Sequence, residues 1–162
     1  MNAAPWPRQV ALLLLAAVLG GCSSFEHDWR AATRARVPLR AFAPSQADPF
    51  GGAWDGAWTS AEHRTSSGEP HGGRLRCLFT RLDEHHYRAR FKANWLIFSS
   101  GYATTFAAAR HGNQLQFHGE HDLGSIFGGI YRYEGRATAE QFTASYASSY
   151  DRGRFEMRRP AP

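Results

Sequence analysis

The residues most capable of chemistry in this 162-residue chain are two cysteines, eight histidines and a Ser-Ser-Tyr-Asp cluster near the C-terminus. Cys77 sits in Leu75-Arg76-Cys77-Leu78-Phe79, where alternation groups it with Leu75 and Phe79. A thiol in apolar company is a poor nucleophile because its thiolate is not solvated, so Cys77 reads as a core residue. The histidines are dispersed. His85 and His86 share a turn, while His118 and His121 have opposite parity on one strand and point apart. Glu120 and Asp122 nearby leave a weak surface metal site open, but zinc and iron sites need three or four converging ligands, and no such set stands out. Ser148, Ser149, Tyr150 and Asp151 fit the ordinary hydrogen bonding of a turn. No Gly-x-Ser-x-Gly elbow, phosphate loop or His-Glu-x-x-His segment occurs. Most acids fall on the polar face of the strands described below, not in the convergent pair that glycoside hydrolysis requires. The expectation is a non-catalytic protein with no cofactor.

Cys22 is a different case. Arg8 precedes an unbroken apolar run from Val10 to Leu19. As a helix that run spans about 15 Å, half of a bilayer's hydrocarbon core, which fits a signal peptide and not a transmembrane helix. It ends in Leu19-Gly20-Gly21-Cys22. This resembles the lipobox of bacterial lipoproteins: a branched apolar residue, two small residues, then the cysteine whose sulfur takes the lipid. The resemblance implies that residues 1–21 are a cleaved leader and Cys22 the acylated first residue of the mature chain. With Ser23 next, and not Asp, it also implies sorting to the outer membrane with the protein facing the periplasm. Several acyl chains hold such an anchor permanently, where one gives only marginal binding.

The formal net charge is +5, and its excess is uneven. Arg30, Arg34, Arg36 and Arg40 crowd one segment against Glu26 and Asp28. The rest of the chain is nearly neutral, and Lys92 is the only lysine. The basic character therefore belongs to a tail, and no nucleic-acid partner is expected. With Pro38, Pro44 and Pro49, residues 22–50 read as a lipidated N-terminus and flexible tether, with a turn or two of helix open to Trp29–Val37. About 28 flexible residues would span roughly 30 Å. Two readings of the arginines stay open: solvated linker charges, or contacts to anionic head groups.

From Gly51 the period becomes two. Gly52, Trp54, Gly56 and Trp58 share a face, as do Leu75, Cys77 and Phe79. Tyr87, Ala89, Phe91 and Ala93 follow, then Tyr102, Thr104, Phe106 and Ala108. Leu115, Phe117 and Gly119 make a fifth set, and Tyr131, Tyr133, Gly135 and Ala137 a sixth. Phe142, Ala144 and Tyr146, then Phe155 and Met157, complete eight. Short polar turns at Asp83-Glu84-His85, His111-Gly112-Asn113, Thr138-Ala139-Glu140 and Asp151-Arg152-Gly153 join neighbours. The pattern predicts an all-β domain over residues 51–162: an eight-stranded antiparallel up-and-down β-barrel, closed to remove its edges. A transmembrane barrel also alternates, with apolar residues toward lipid. Strands of about seven residues, against the nine to eleven a membrane needs, and a chain end of Arg-Arg-Pro-Ala-Pro argue against it.

A Gly-x-Trp opening, here Gly52-Ala53-Trp54 or Gly56-Ala57-Trp58, on such a barrel resembles the lipocalins and their calycin relatives. The resemblance implies a tryptophan plugging the closed end beside a late arginine, for which Arg154 or Arg158 would serve. The doubled opening with a closing Gly153-Arg154-Phe155 is also similar to small bacterial envelope proteins. Only architecture is carried over.

In a meander, alternate connections lie at one end. Those after strands two, four and six are short and polar. At the opposite end lie a long Ala61–Gly72 loop, the run Trp95-Leu96-Ile97-Phe98, and Asp122–Gly129 with Leu123, Ile126 and Phe127. Solvent does not favour apolar loop tips. Trp95, Ile97, Phe98, Ile126 and Phe127 are therefore the candidate contact residues, and three readings stay open. They cap the barrel, they rim a pocket for an apolar or amphipathic molecule, or they dock an envelope protein or a membrane.

Overall fold

The computed structural model describes residues 24–34, 48–95, 98–125 and 128–161, with the backbone alone at 95 and 98–100. Alternating apolar residues and polar turns fold residues 52–158 into eight strands: β1 (Gly52–Arg64), β2 (Pro70–Arg81), β3 (His86–Trp95), β4 (Phe98–His111), β5 (Gln114–Asp122), β6 (Ile130–Ala137), β7 (Gln141–Ala147) and β8 (Arg152–Arg158). Each pairs antiparallel with the next, and β1 closes on β8 from Asp55↔Arg158 to Ser60↔Gly153. The predicted up-and-down barrel is therefore present.

The strands are not uniform. β1 to β4 run to 13, 12, 10 and 14 residues, whereas β7 and β8 have seven. The expected long loop at Ala61–Gly72 is mostly strand: after a register shift beyond Thr59, β1 and β2 continue to Arg64↔Pro70, leaving a five-residue turn over 65–69. Strand length therefore does not argue against a membrane barrel. The distribution of residues does, because the large aromatics face inward and Arg88, Arg132, Arg136 and Arg154 face out, the reverse of a lipid-facing wall.

Rings fill the lumen. Phe79 on β2 packs against Tyr87, Phe106, Phe117 and Phe142 at centroid separations of 4.7–6.3 Å. Phe91 on β3 reaches Phe155 on β8 at 5.5 Å, and Tyr133 on β6 meets Phe155 at 6.0 Å. These contacts cross the barrel, so the central layers are solid. Gly135 makes room for one of them. A Cβ there would stand 2.4 Å from the Phe117 ring.

The end where β1 begins is sealed by Trp54, which is fully buried. Its indole Nε1 donates to the Phe50 carbonyl at 3.1 Å. The arginine beside it is Arg159, not Arg154 or Arg158. Its guanidinium lies 3.7 Å from the Trp54 ring centre and donates to the carbonyls of Pro49, Gly51 and Ala139 at 2.6–2.9 Å. Burial lowers its pKa to about 10. Arg154 and Arg158 lie on the outward parity of β8, Arg154 pairing with Glu156 at 3.1 Å.

Part of the expected tether is folded. Residues 24–34 form an α-helix, α1. Phe25 and Trp29, one turn apart, stack at 5.9 Å and with Ala32 cover Ala53 and Leu78, two apolar residues on the outside of β1 and β2. Ion pairs frame this contact. Arg76 and Lys92 donate to Glu26 at 2.6 and 2.7 Å, and Arg90 pairs with Asp28. The Arg76 hydrogen bonds, then that of Lys92, hold the Glu26 carboxyl down at about 2.

Candidate functional site at the open end of the barrel

Continuing inward parity past the packed layers leads to the opposite end. There the ring residues are Trp58 and Ser60 from β1, His71 from β2, Tyr102 from β4, His121 from β5, Tyr131 from β6 and Tyr146 from β7. Gly73 and Gly153 supply no side chain. Trp58, His71, Tyr102, His121 and Tyr131 are each partly exposed, unlike the layers beneath.

Stacking organises this layer. His121 lies on Tyr102 at 5.4 Å with an interplanar angle of 21°. Tyr131 stacks on Tyr133 at 6.4 Å and tilts on Tyr146 at 5.9 Å. His71 meets the edge of Trp58 at 5.6 Å. Tyr133 donates to the Tyr102 hydroxyl at 3.3 Å. Burial pushes the Tyr102 phenol well up and that of Tyr133 to about 12. The floor of the mouth therefore presents neutral hydroxyls far above neutral pH.

The β4–β5 seam changes character here. Ladder pairing runs from His111↔Gln114 to Ala107↔His118 and stops. Beyond it Gly119 lets β5 lie against the Phe106 ring and the Thr105 carbonyl. Thr104 Oγ1 donates to the Glu120 carbonyl at 3.2 Å. Side chains, including the Tyr102–His121 stack, join the two strands at the mouth.

A serine and an aspartate also meet there. The buried Ser60 hydroxyl donates to Asp151 Oδ1 at 2.6 Å and accepts the N–H groups of Glu62 and His63 at 3.2 and 2.8 Å. Tyr146 donates to Asp151 Oδ2 at 2.9 Å. Both Asp151 oxygens are engaged and no imidazole stands between Ser60 and Asp151. The set clasps the β1 register shift to the β7–β8 turn. That turn, Ser148–Asp151, comes just before the position expected from the sequence. Ser148 Oγ accepts the N–H groups of Tyr150 and Asp151, both at 3.1 Å.

Two donor-capable nitrogens at this end are buried without a hydrogen-bond partner among the described residues: Trp58 Nε1 and His63 Nε2. A buried, unsatisfied polar group costs about 1–3 kcal/mol. No group of three or more potential metal ligands converges among the described residues. Cys77 is fully buried, and desolvation raises its thiol pKa well above the usual range.

The connections that carry the candidates chosen from sequence join strands at this same end. Trp95 pairs with Phe98 across a two-residue connection, so that run is a tight hairpin, and the 123–129 connection joins β5 to β6. Cys22, Ile97, Ile126 and Phe127 lie outside the described residues, as do the side chains of Trp95 and Phe98. None of Trp58, His71, Tyr102, His121 and Tyr131 was chosen as a contact residue: Trp58, Tyr102 and Tyr131 were read as core, His71 fell in the expected Ala61–Gly72 loop, and His121 was weighed only for a weak surface metal site. Their shared mark is position, on the inward face of strand segments near the upper turns. An open groove of about 870 Å³ over the outside of β4–β8 runs past Ala107, Gln116, Glu134, Thr143 and Arg154. It is shallow and holds neither of the two unpartnered nitrogens.

Compared with known proteins, the chain matches no family model, no curated protein and no solved structure.

Proposed function

We propose that the chain is a lipoprotein anchored through Cys22 to the bacterial outer membrane, with its barrel in the periplasm, and that the barrel mouth binds a small amphipathic molecule without catalysis. The leader, the apolar run and the lipobox support the anchor. The observation that carries the ligand reading is the partly exposed ring layer around Trp58, whose buried indole N–H has no acceptor among the described residues. Flat stacked rings beside an unused donor suit a molecule with an apolar ring or short chain and one acceptor oxygen. The solid layers beneath restrict it to the mouth, so a long acyl chain threaded down the lumen does not fit. Trp95, Ile97, Phe98, Ile126 and Phe127, on the two connections at this end, are its further candidate contacts.

A second reading has its own support. Rings that cross the lumen favour a filled barrel acting as an envelope assembly partner. Native mass spectrometry separates the two. The Cys22→Ala protein, secreted and purified gently from periplasm, should carry an extra mass that organic extraction removes. A bare polypeptide mass would reject the ligand and favour the assembly reading.

A further inference from the structure

The position of α1 says where a membrane would sit. Its inner face is committed to the barrel through Phe25, Trp29 and Ala32. Its outer face carries His27, Arg30, Ala31 and Arg34, all exposed. Neither Arg30 nor Arg34 forms an ion pair among the described residues, whereas the acids of the helix, Glu26 and Asp28, are turned toward Arg76, Lys92 and Arg90 on the wall. The helix thus spends its negative charge on the barrel and leaves positive charge facing out.

The chain's reach sharpens this. Arg90 donates to the Ser24 hydroxyl at 3.2 Å, so α1 begins against the outside of β3. Two peptide links separate Ser24 from Cys22, which places the Cys22 Cα within about 7 Å of it. An acyl group on that residue enters the bilayer beside the barrel wall, and not at the end of a 30 Å tether.

We infer that the outer face of α1 is a membrane-contact surface: anionic phospholipid head groups rest on Arg30 and Arg34, and the docked helix holds the barrel side-on, with β1–β3 toward the bilayer and β6 away from it. This rests on the acylation of Cys22 proposed above. The barrel wall then stands about one helix diameter, roughly 10 Å, from the head groups. Each arginine at an anionic surface strengthens attachment about fivefold.

The test uses the protein purified from membranes and reconstituted in phosphatidylethanolamine–phosphatidylglycerol vesicles carrying a headgroup nitroxide quencher. Single cysteines are introduced on the barrel itself, as Arg88→Cys on β3 and Arg136→Cys on β6, both exposed, and each is labelled with a fluorophore. Cys77 is too buried to compete. Quenching should be several-fold stronger at position 88 than at 136, and Leu78→Asp, which undocks α1 and frees the barrel to turn on its anchor, should bring the two values together. Equal quenching in the parent fold, or a difference that survives Leu78→Asp, would overturn side-on docking. Intact mass separates the two levels: acyl mass with equal quenching rejects only the orientation, while absence of acyl mass rejects the anchor and the orientation with it.

Discussion

The two tryptophans of β1 stand four residues apart on one face of one strand, each preceded by Gly-Ala, and they meet opposite fates. Trp54 is fully buried, its indole N–H on the Phe50 carbonyl and its ring under the Arg159 guanidinium. Trp58 is partly exposed, its N–H enclosed and without a partner among the described residues, its ring in T-shaped contact with His71. The same local motif therefore serves two purposes. Chain returning from both termini covers the Trp54 end: Phe50 on one side, Arg159 on the other. Among the described residues, only turns reach the Trp58 end. One end of the barrel is built for stability, and the other keeps polar capacity in reserve.

Substitutions can break or sharpen that contrast. The largest effect is expected at the sealed end. Trp54→Ala should cost about 3–5 kcal/mol in equilibrium denaturation, the range for emptying a buried aromatic site. Arg159→Met should cost about 2–3 kcal/mol, because carbonyls of Pro49, Gly51 and Ala139 lose a charged donor together. Gly135→Ala tests the packed middle, since its Cβ would collide with Phe117. Overpacking of this kind costs about 1–3 kcal/mol, read as a lower melting temperature.

A smaller effect belongs to α1. Paired with Arg76 and Lys92, Glu26 is held at about 2, below its ordinary value of 4.5. A carboxyl with a depressed folded pKa stabilises the docked helix above the unfolded value and loses that contribution as pH falls from about 4.5 toward 2. Asp28, held down by Arg90, acts in the same direction. Amide exchange over residues 24–34 should therefore accelerate on acidification before the barrel strands lose protection. Simultaneous loss in helix and strands would mean that α1 is not a separately docked element.

Much of this fold was legible in the sequence. Period two survives in every strand because one face is packed and the other wet, and glycine or polar turns mark most reversals. Strand length was less legible. Above the aromatic layers β1 and β2 no longer bury large side chains, so residues 61–64 and 70–72 lose the alternation that marks a strand. The docked helix left a signal that alternation alone does not interpret. Leu78 and Ala53 are apolar on the polar face, and Phe25, Trp29 and Ala32 repeat at helical spacing. Arg159 escaped notice because it lies just past the end of β8 and folds back over Trp54, a turn that parity does not predict. Of the described residues at the candidate mouth, Trp58, Tyr102 and Tyr131 were assigned to the core, since an inward ring near a rim reads like one in the middle, whereas His71 lay in a stretch without alternation.

The most direct test compares Trp54→Phe with Trp58→Phe by urea denaturation of otherwise identical proteins. Trp54→Phe strands the Phe50 carbonyl and weakens the Arg159 stack, so it should lose about 2–3 kcal/mol. Trp58→Phe removes an N–H that has no partner among the described residues, so stability should stay within about 1 kcal/mol of the parent. Equal losses at the two positions would contradict the division of this barrel into a sealed end and the end proposed to bind.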